Sequence, residues 1–126
     1  MRRDDVTLWL AAYEAAWRTA GTEPLGALFT ADAEYRMSPY EQPVRGLPAI
    51  AGLWEAERDG PDEGFVMEHE IVAVDRDTAV VRVEVRYEGP PGEFRDLWLI
   101  RFAPDGRCSA FEEWPFAPGQ RVGGRD

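Results

Sequence analysis

The sequence predicts an α+β fold in which a curved antiparallel sheet wraps around N-terminal helices. Three observations carry that prediction. Apolar residues recur at helical spacing in the first half of the chain and at period two from Phe65 onward. Turn chemistry then cuts the second half into hairpins at Asp75-Arg76-Asp77, Gly89-Pro90-Pro91-Gly92 and Pro104-Asp105-Gly106. Between the last two turns, Phe94, Asp96, Trp98, Ile100 and Phe102 share one strand face, backed by Arg95, Leu97, Leu99 and Arg101. A strand with so large an aromatic face suits a sheet curled around a small-molecule pocket.

The elements follow in order. Asp4 or Asp5 is placed to cap a first helix, whose stripe Val6, Trp9, Leu10, Tyr13, Trp17 and Ala20 ends at Gly21. Glu14 and Arg18, four apart, form a supporting pair on its wet side. Thr22-Glu23-Pro24 opens a short second helix burying Leu25, Leu28 and Phe29. Ala33–Met37 reads as a strand with Tyr35 and Met37 on one side, and the prolines of Ser38–Pro43 make a loop. A third helix follows Gly46, carries Pro48 in its first turn, buries Ile50, Leu53 and Trp54, and is stopped by Gly60-Pro61. Phe65, Met67, His69, Ile71 and Ala73 then alternate with Val66, Glu68, Glu70, Val72 and Val74. In the next strand Ala79, Val81, Val83, Val85 and Tyr87 alternate with Val80, Arg82, Glu84 and Arg86. Residues 1–118 form one domain on this reading, and 119–126 a flexible C-terminal tail.

Composition removes several function classes. The net charge of −10 opposes binding to nucleic acid and to anionic membrane surfaces. No stretch reaches the ~18 apolar residues of a membrane span, and Arg2-Arg3 followed by Asp4-Asp5 argues against a secretion signal. Cys108 is the single cysteine, so no intramolecular disulfide forms and a reducing, cytoplasmic setting is expected. Its strand position makes it a buried thiol rather than a nucleophile. All basic side chains other than His69 are arginine; with lysine absent, Schiff-base chemistry has no amine. The joint absence of Lys and Asn points to a GC-rich bacterial coding sequence. Five tryptophans, four tyrosines and six phenylalanines exceed what a minimal core needs, and favour a large-walled cavity or an interface.

Three local signatures, in this order of elements, resemble the nuclear transport factor 2-like superfamily and its SnoaL-like (polyketide cyclase-like) group. They are Tyr13-Glu-Ala-Ala-Trp17 followed by Leu28-Phe29-Thr-Ala-Asp-Ala33; Pro43-Val-Arg-Gly46 leading to Ile50 and Trp54; and Arg101-Phe102 through Asp105-Gly106 to Phe111-Glu-Glu-Trp114. The resemblance implies a cone-shaped (cystatin-like) fold, often paired through its outer sheet face. Activities in that superfamily range from isomerases and cyclases to plain ligand-binding modules, so the residues decide. Tyr13 matches the first-helix tyrosine of members resembling ketosteroid isomerase. Their base position falls on Met37 or Ser38, however, and their late acid position on Trp98, so that chemistry is not expected. Arg82-Val-Glu84 imitates the Arg-x-Asp pair of members resembling limonene epoxide hydrolase. Its neighbours mark it instead as an outer-face charge ladder, and the second acid of that chemistry would fall at Phe116.

What remains is a candidate site on the inner face. His69, Asp96 and Tyr13 are the candidate catalytic groups: a histidine to carry a proton, a carboxylate to orient it and a phenol to face a developing enolate. Trp17, Tyr35, Met37, Tyr40, Trp54, Met67, Trp98, Phe111 and Glu113 are the candidate substrate-binding residues. Plainer readings stand beside these: His69 as a hydrogen-bonded core residue, Asp96 near a strand end in water, and Glu113 paired with an arginine. One histidine without clustered partners gives no metal site, and no cofactor motif is present. The expected ligand is a small apolar or aromatic molecule, turned over by cofactor-free isomerase or cyclase chemistry. The rival reading is a non-catalytic dimeric binding or scaffold module. Val72, Val74, Val80, Leu97 and Leu99, rimmed by charge, are the expected homodimer surface.

Overall fold

The computed structural model describes residues 1–58, 64–89 and 92–120. The helices are α1 (Arg3–Trp17), α2 (Leu25–Leu28) and α3 (Leu47–Glu57). The strands are β1 (Phe29–Arg36), β2 (Val44–Arg45), β3 (Phe65–Asp75), β4 (Thr78–Tyr87), β5 (Glu93–Phe102) and β6 (Cys108–Phe116). Gly60-Pro61, Pro90-Pro91 and the last six residues of the expected tail lie outside the described residues.

The four long strands form the expected meander, and β1 and β2 extend it to give the order β2-β1-β6-β5-β4-β3. The sheet is mixed rather than wholly antiparallel, because β1 runs parallel to β6. Hairpin logic cannot find that pairing, since the two strands are far apart in sequence. The sheet is curved and does not close on itself. Register shifts occur in β1–β6 between Phe29 and Glu34, in β3–β4 between Ile71 and Ala73, and in β5–β6 between Arg101 and Phe102. Each is a place where the ladder can bend.

The helices lie on the concave face. Along α1 the buried residues are Val6, Trp9, Leu10, Tyr13 and Ala16, three and four apart as a single helical face requires. Trp9 meets Phe29 and Phe102 edge-on, and its indole N–H donates to the Leu28 carbonyl at 3.0 Å, so this buried donor is satisfied. Ile50 and Trp54 are the buried residues of α3, one turn apart.

Several local expectations are corrected. Asp5 does not precede α1 but sits in its first turn, where it accepts from the Arg2 backbone amide at 3.0 Å. The helix ends at Trp17, so Ala20 is outside it and exposed. Against that end lies Arg58, which follows α3 and is 8% exposed. Its guanidinium donates to the carbonyls of Thr19 and Gly21 at 2.8 and 2.9 Å, reaches those of Ala16 and Trp17 at 3.3 and 3.4 Å, and pairs with Glu55 at 2.7 Å. Carbonyls otherwise left open by the end of a helix are thereby satisfied by a cation. β1 begins at Phe29, earlier than expected, because Phe29 is extended and fully buried. The shift in β3 reverses the parity of its end: Val74 pairs with inward-facing Ala79 and packs on the core, while Ala73 pairs with Val80. Val74 therefore leaves the outer patch to which its alternation assigned it.

Candidate functional site

A cavity of about 570 Å³ opens between the concave face of the sheet and helices α1 and α3. Its aromatic wall is built from Tyr13 and Trp17 of α1, Trp54 of α3, Tyr87 of β4, and Phe94 and Trp98 of β5. Alternation along β5 sends Phe94, Asp96 and Trp98 inward together, as expected, and Trp98 and Asp96 are only 2% and 5% exposed.

Two polar pairs lie in this wall. In the first, the Tyr13 and Tyr35 hydroxyls, from α1 and β1, are 3.2 Å apart. Burial raises both phenols well above their ordinary pKa; the Tyr35 charge is the next cause for Tyr13, and Glu113 adds to both. They remain neutral hydrogen-bonding groups. Next to Tyr35 is the Trp54 indole N–H, close enough to favour a phenolate there but outside hydrogen-bonding geometry; it is buried without an acceptor.

The second pair is Asp96 with Glu113. Glu113 is the cross-strand partner of Trp98, which puts its carboxyl on the same face as Asp96. Burial raises the Glu113 pKa well above the carboxylate range, and hydrogen bonding to Asp96 and the Asp96 charge raise it further. The raised pKa means that Glu113 holds its proton at pH values where an ordinary glutamate has lost it. Asp96 Oδ2 accepts from Trp98 Nε1 at 3.3 Å, whereas Oδ1 is buried and receives no N–H. Glu57 of α3 and Glu88, just past β4, also line the cavity.

Of the twelve residues expected from sequence, Tyr13, Trp17, Tyr35, Met37, Trp54, Met67, Asp96, Trp98 and Glu113 line this cavity. Three do not. Phe111 is buried one layer behind, stacked on Tyr35 with ring centroids 4.7 Å apart. Tyr40 is 97% exposed in the loop after Pro39. His69 has the inward parity expected of it, pairing with Val83, which pairs with Asp96. Yet β3 is an edge strand of the sheet and His69 is exposed on it, outside the cavity lining. The proposed His69–Asp96 partnership is therefore corrected: Asp96 lies beside Glu113, and among the described residues no arginine pairs with Glu113. Sequence reasoning put Phe94 and Tyr87 on inward faces without naming them as site residues, and it missed Glu57 and Glu88, which follow from no periodicity.

Among the described residues no group of three or more His, Cys, Asp or Glu side chains converges as a metal site would. Cys108 is buried in β6, and burial pushes its thiol pKa up, away from reactivity. Arg82 and Glu84 are on the outer face, paired across strands with Glu70 and Arg95 at 3.2 and 3.5 Å.

A concave mixed sheet closed by N-terminal helices over one aromatic cavity defines the cone-shaped class of α+β fold. Within it, residues 10–111 match the SnoaL-like domain, and the chain belongs to that family. Similar solved structures include a candidate polyketide cyclase from Sinorhizobium meliloti, 24% identical, with a TM-score of 0.68, covering 90% of this chain and 99% of that one. A steroid delta-isomerase from Pseudomonas aeruginosa is 21% identical, with a TM-score of 0.64 and coverage of 90% and 81%. An NTF-2 like protein of unknown function from Burkholderia xenovorans is 15% identical, with a TM-score of 0.71 and coverage of 98% and 91%. At these identities the likeness establishes the fold. No curated protein sequence is significantly similar.

Proposed function

We propose that this protein binds an apolar carbonyl compound in the cavity and moves a proton on it without a cofactor, as an isomerase or cyclase does. The observation that carries the reading is the Asp96–Glu113 carboxyl pair at the cavity wall, Asp96 buried and Glu113 partly so, with the Glu113 pKa raised. A carboxyl whose pKa lies above the usual range is matched to exchange protons nearer neutrality. In the proposed step, the ionised member takes a proton from the carbon next to the carbonyl. The C–H electron pair becomes a C=C bond, and the carbonyl oxygen becomes an enolate oxygen. Tyr13 and Tyr35 supply donors for that oxygen. Return of the proton to another carbon of the enolate completes an isomerisation, with nothing gained or lost. His69 stands outside this scheme because of its exposure.

The test is deuterium incorporation into 2-tetralone in heavy water, followed by NMR. The wild-type protein is expected to accelerate exchange at the carbon next to the carbonyl above the buffer rate. Binding of the ketone with no acceleration would leave the ligand-binding alternative and remove the catalytic one.

We also propose a cytoplasmic homodimer formed through the outer sheet face, where Val66, Val80, Leu97 and Leu99 lie among charged side chains. Neither nucleic acid nor a membrane surface is an expected partner. Among the described residues no helix is long and apolar enough to cross a membrane. Light scattering should return twice the chain mass, and Leu97→Glu should halve it; a monomeric wild type would remove this proposal.

A further inference from the structure

We infer that the cavity holds its ligand on two aromatic subsites, an inner one and a rim, and that Arg18 is the positioning residue that sets the rim. The inference rests on the pocket reading above and deepens it: the carbonyl compound is longer than a bicyclic ketone.

The two subsites lie at different depths. Tyr13, Trp54 and Trp98 form the inner one, with the Tyr13 ring centroid 4.8 Å from that of Trp98 and 5.1 Å from that of Trp54. All three are buried. Phe65, Tyr87 and Phe94 form the rim, one from each of β3, β4 and β5. Phe65 and Tyr87 are cross-strand partners with ring centroids 5.9 Å apart, and Phe94 meets Tyr87 edge-on at 6.2 Å. Tyr87 and Phe94 are only half-buried, so this end of the cavity is the wetter one. Along β5, Asp96 separates Phe94 from Trp98, and four residues of strand span roughly 13 Å. A ligand resting on both groups therefore keeps its carbonyl beside Tyr13 and Asp96 and extends an apolar end to the rim.

The rim needs an outside support. Phe65 is the first residue of β3, an edge strand, so β4 holds it on one side only. Arg18, just past α1, supplies the other side. Its guanidinium carbon sits 3.8 Å from the centre of the Phe65 ring, and its Nη2 donates to the Phe65 carbonyl at 2.9 Å. Glu14, one turn back, steadies the same group by accepting from Nε and Nη2 at 3.1 and 2.9 Å. One planar cation thus grips both the ring and the backbone of a single residue. Pairing with Glu14 alone would be an ordinary surface contact; here the spare donor goes to a residue 47 positions away. Arg18 is not part of the cavity lining, so it acts on the ligand only through Phe65.

Two ketones with the same reacting group test this in calorimetric titrations: 2-tetralone and 6-phenyl-2-tetralone. The wild-type protein is expected to bind the phenyl ketone about tenfold more tightly. In Arg18→Met that preference should shrink to about threefold or less, because the rim is no longer held. Phe65→Leu should shrink it likewise, and serves as the test if the arginine variant fails to fold. A merely structural Arg18 would weaken both ketones alike and leave their ratio unchanged, which overturns the inference. A phenyl ketone that binds no better than 2-tetralone in the wild type overturns it too, and leaves proton transfer on the smaller ketone standing. If neither ketone binds, the pocket reading falls and the inference with it.

Discussion

On the outer face of the sheet, Glu70 pairs with Arg82 at 3.2 Å, Glu68 with Arg86 at 3.4 Å and Glu84 with Arg95 at 3.5 Å. On the inner face, Asp96 and Glu113 face each other. The same residue types on the same strands thus live in opposite conditions. The outer acids are 44% to 67% exposed, each beside a cation and screened by water and salt, so their pairs have little effect on stability. The inner acids have no arginine beside them among the described residues, and burial holds the Glu113 carboxyl well above the carboxylate range. The contrast teaches that an excess of acid over base says nothing about a site until each acid is assigned to a face.

The sharpest way to break this contrast is to remove the inner acids. If proton transfer is the function, Glu113→Gln and Asp96→Asn should each slow exchange of 2-tetralone by about 10²–10⁴-fold, with the fold retained in circular dichroism. Loss of activity only through unfolding would mean that the pair is structural. Arg58 provides the next test, as a buried charge that does have its partners. Arg58→Met should cost about 2–4 kcal/mol in urea unfolding, because the carbonyls it satisfies after α1 lose a charged donor. A cost near zero would deny it that role.

A pH series sharpens the comparison further. Glu113 binds its proton more tightly in the folded than in the unfolded chain, so its contribution to stability is fully present below the ordinary carboxylate pKa of 4.5 and is lost as pH rises through its raised folded value. Unfolding free energy should therefore fall with pH across that window, and Glu113→Gln should flatten the slope. The smallest effect belongs to the outer ladder. Arg82→Ala or Arg86→Ala should change stability by about 0.5 kcal/mol or less, and less still in high salt.

Much of this was legible in the sequence, and the failures have physical causes. Strict alternation on β5 put Asp96 and Trp98 inward without any structure, because period two leaves no choice once Phe94, Ile100 and Phe102 are assigned to the core. Alternation fixes a face but not depth. His69 has the right parity and still sits in the open, because only strand order shows that β3 is an edge strand. The Asp96–Glu113 contact depends on the register of β5 against β6, set by a turn whose geometry two side-chain types cannot report. Val74 was misassigned because Ile71-Val72-Ala73-Val74 is apolar throughout, so a shift inside it leaves no mark. Arg58 was unreadable as a partner of the α1 end because nothing distinguishes it from the other arginines before α1 and α3 are packed together.

A proton held on Glu113 beside Asp96 is the centre of the proposed site, and a side-chain carboxyl NMR titration of the wild type beside Glu113→Gln measures it directly. The expected result is one carboxyl resonance that titrates well above the ordinary range and disappears in the variant. Ionisation of Glu113 at ordinary carboxylate pH would contradict it.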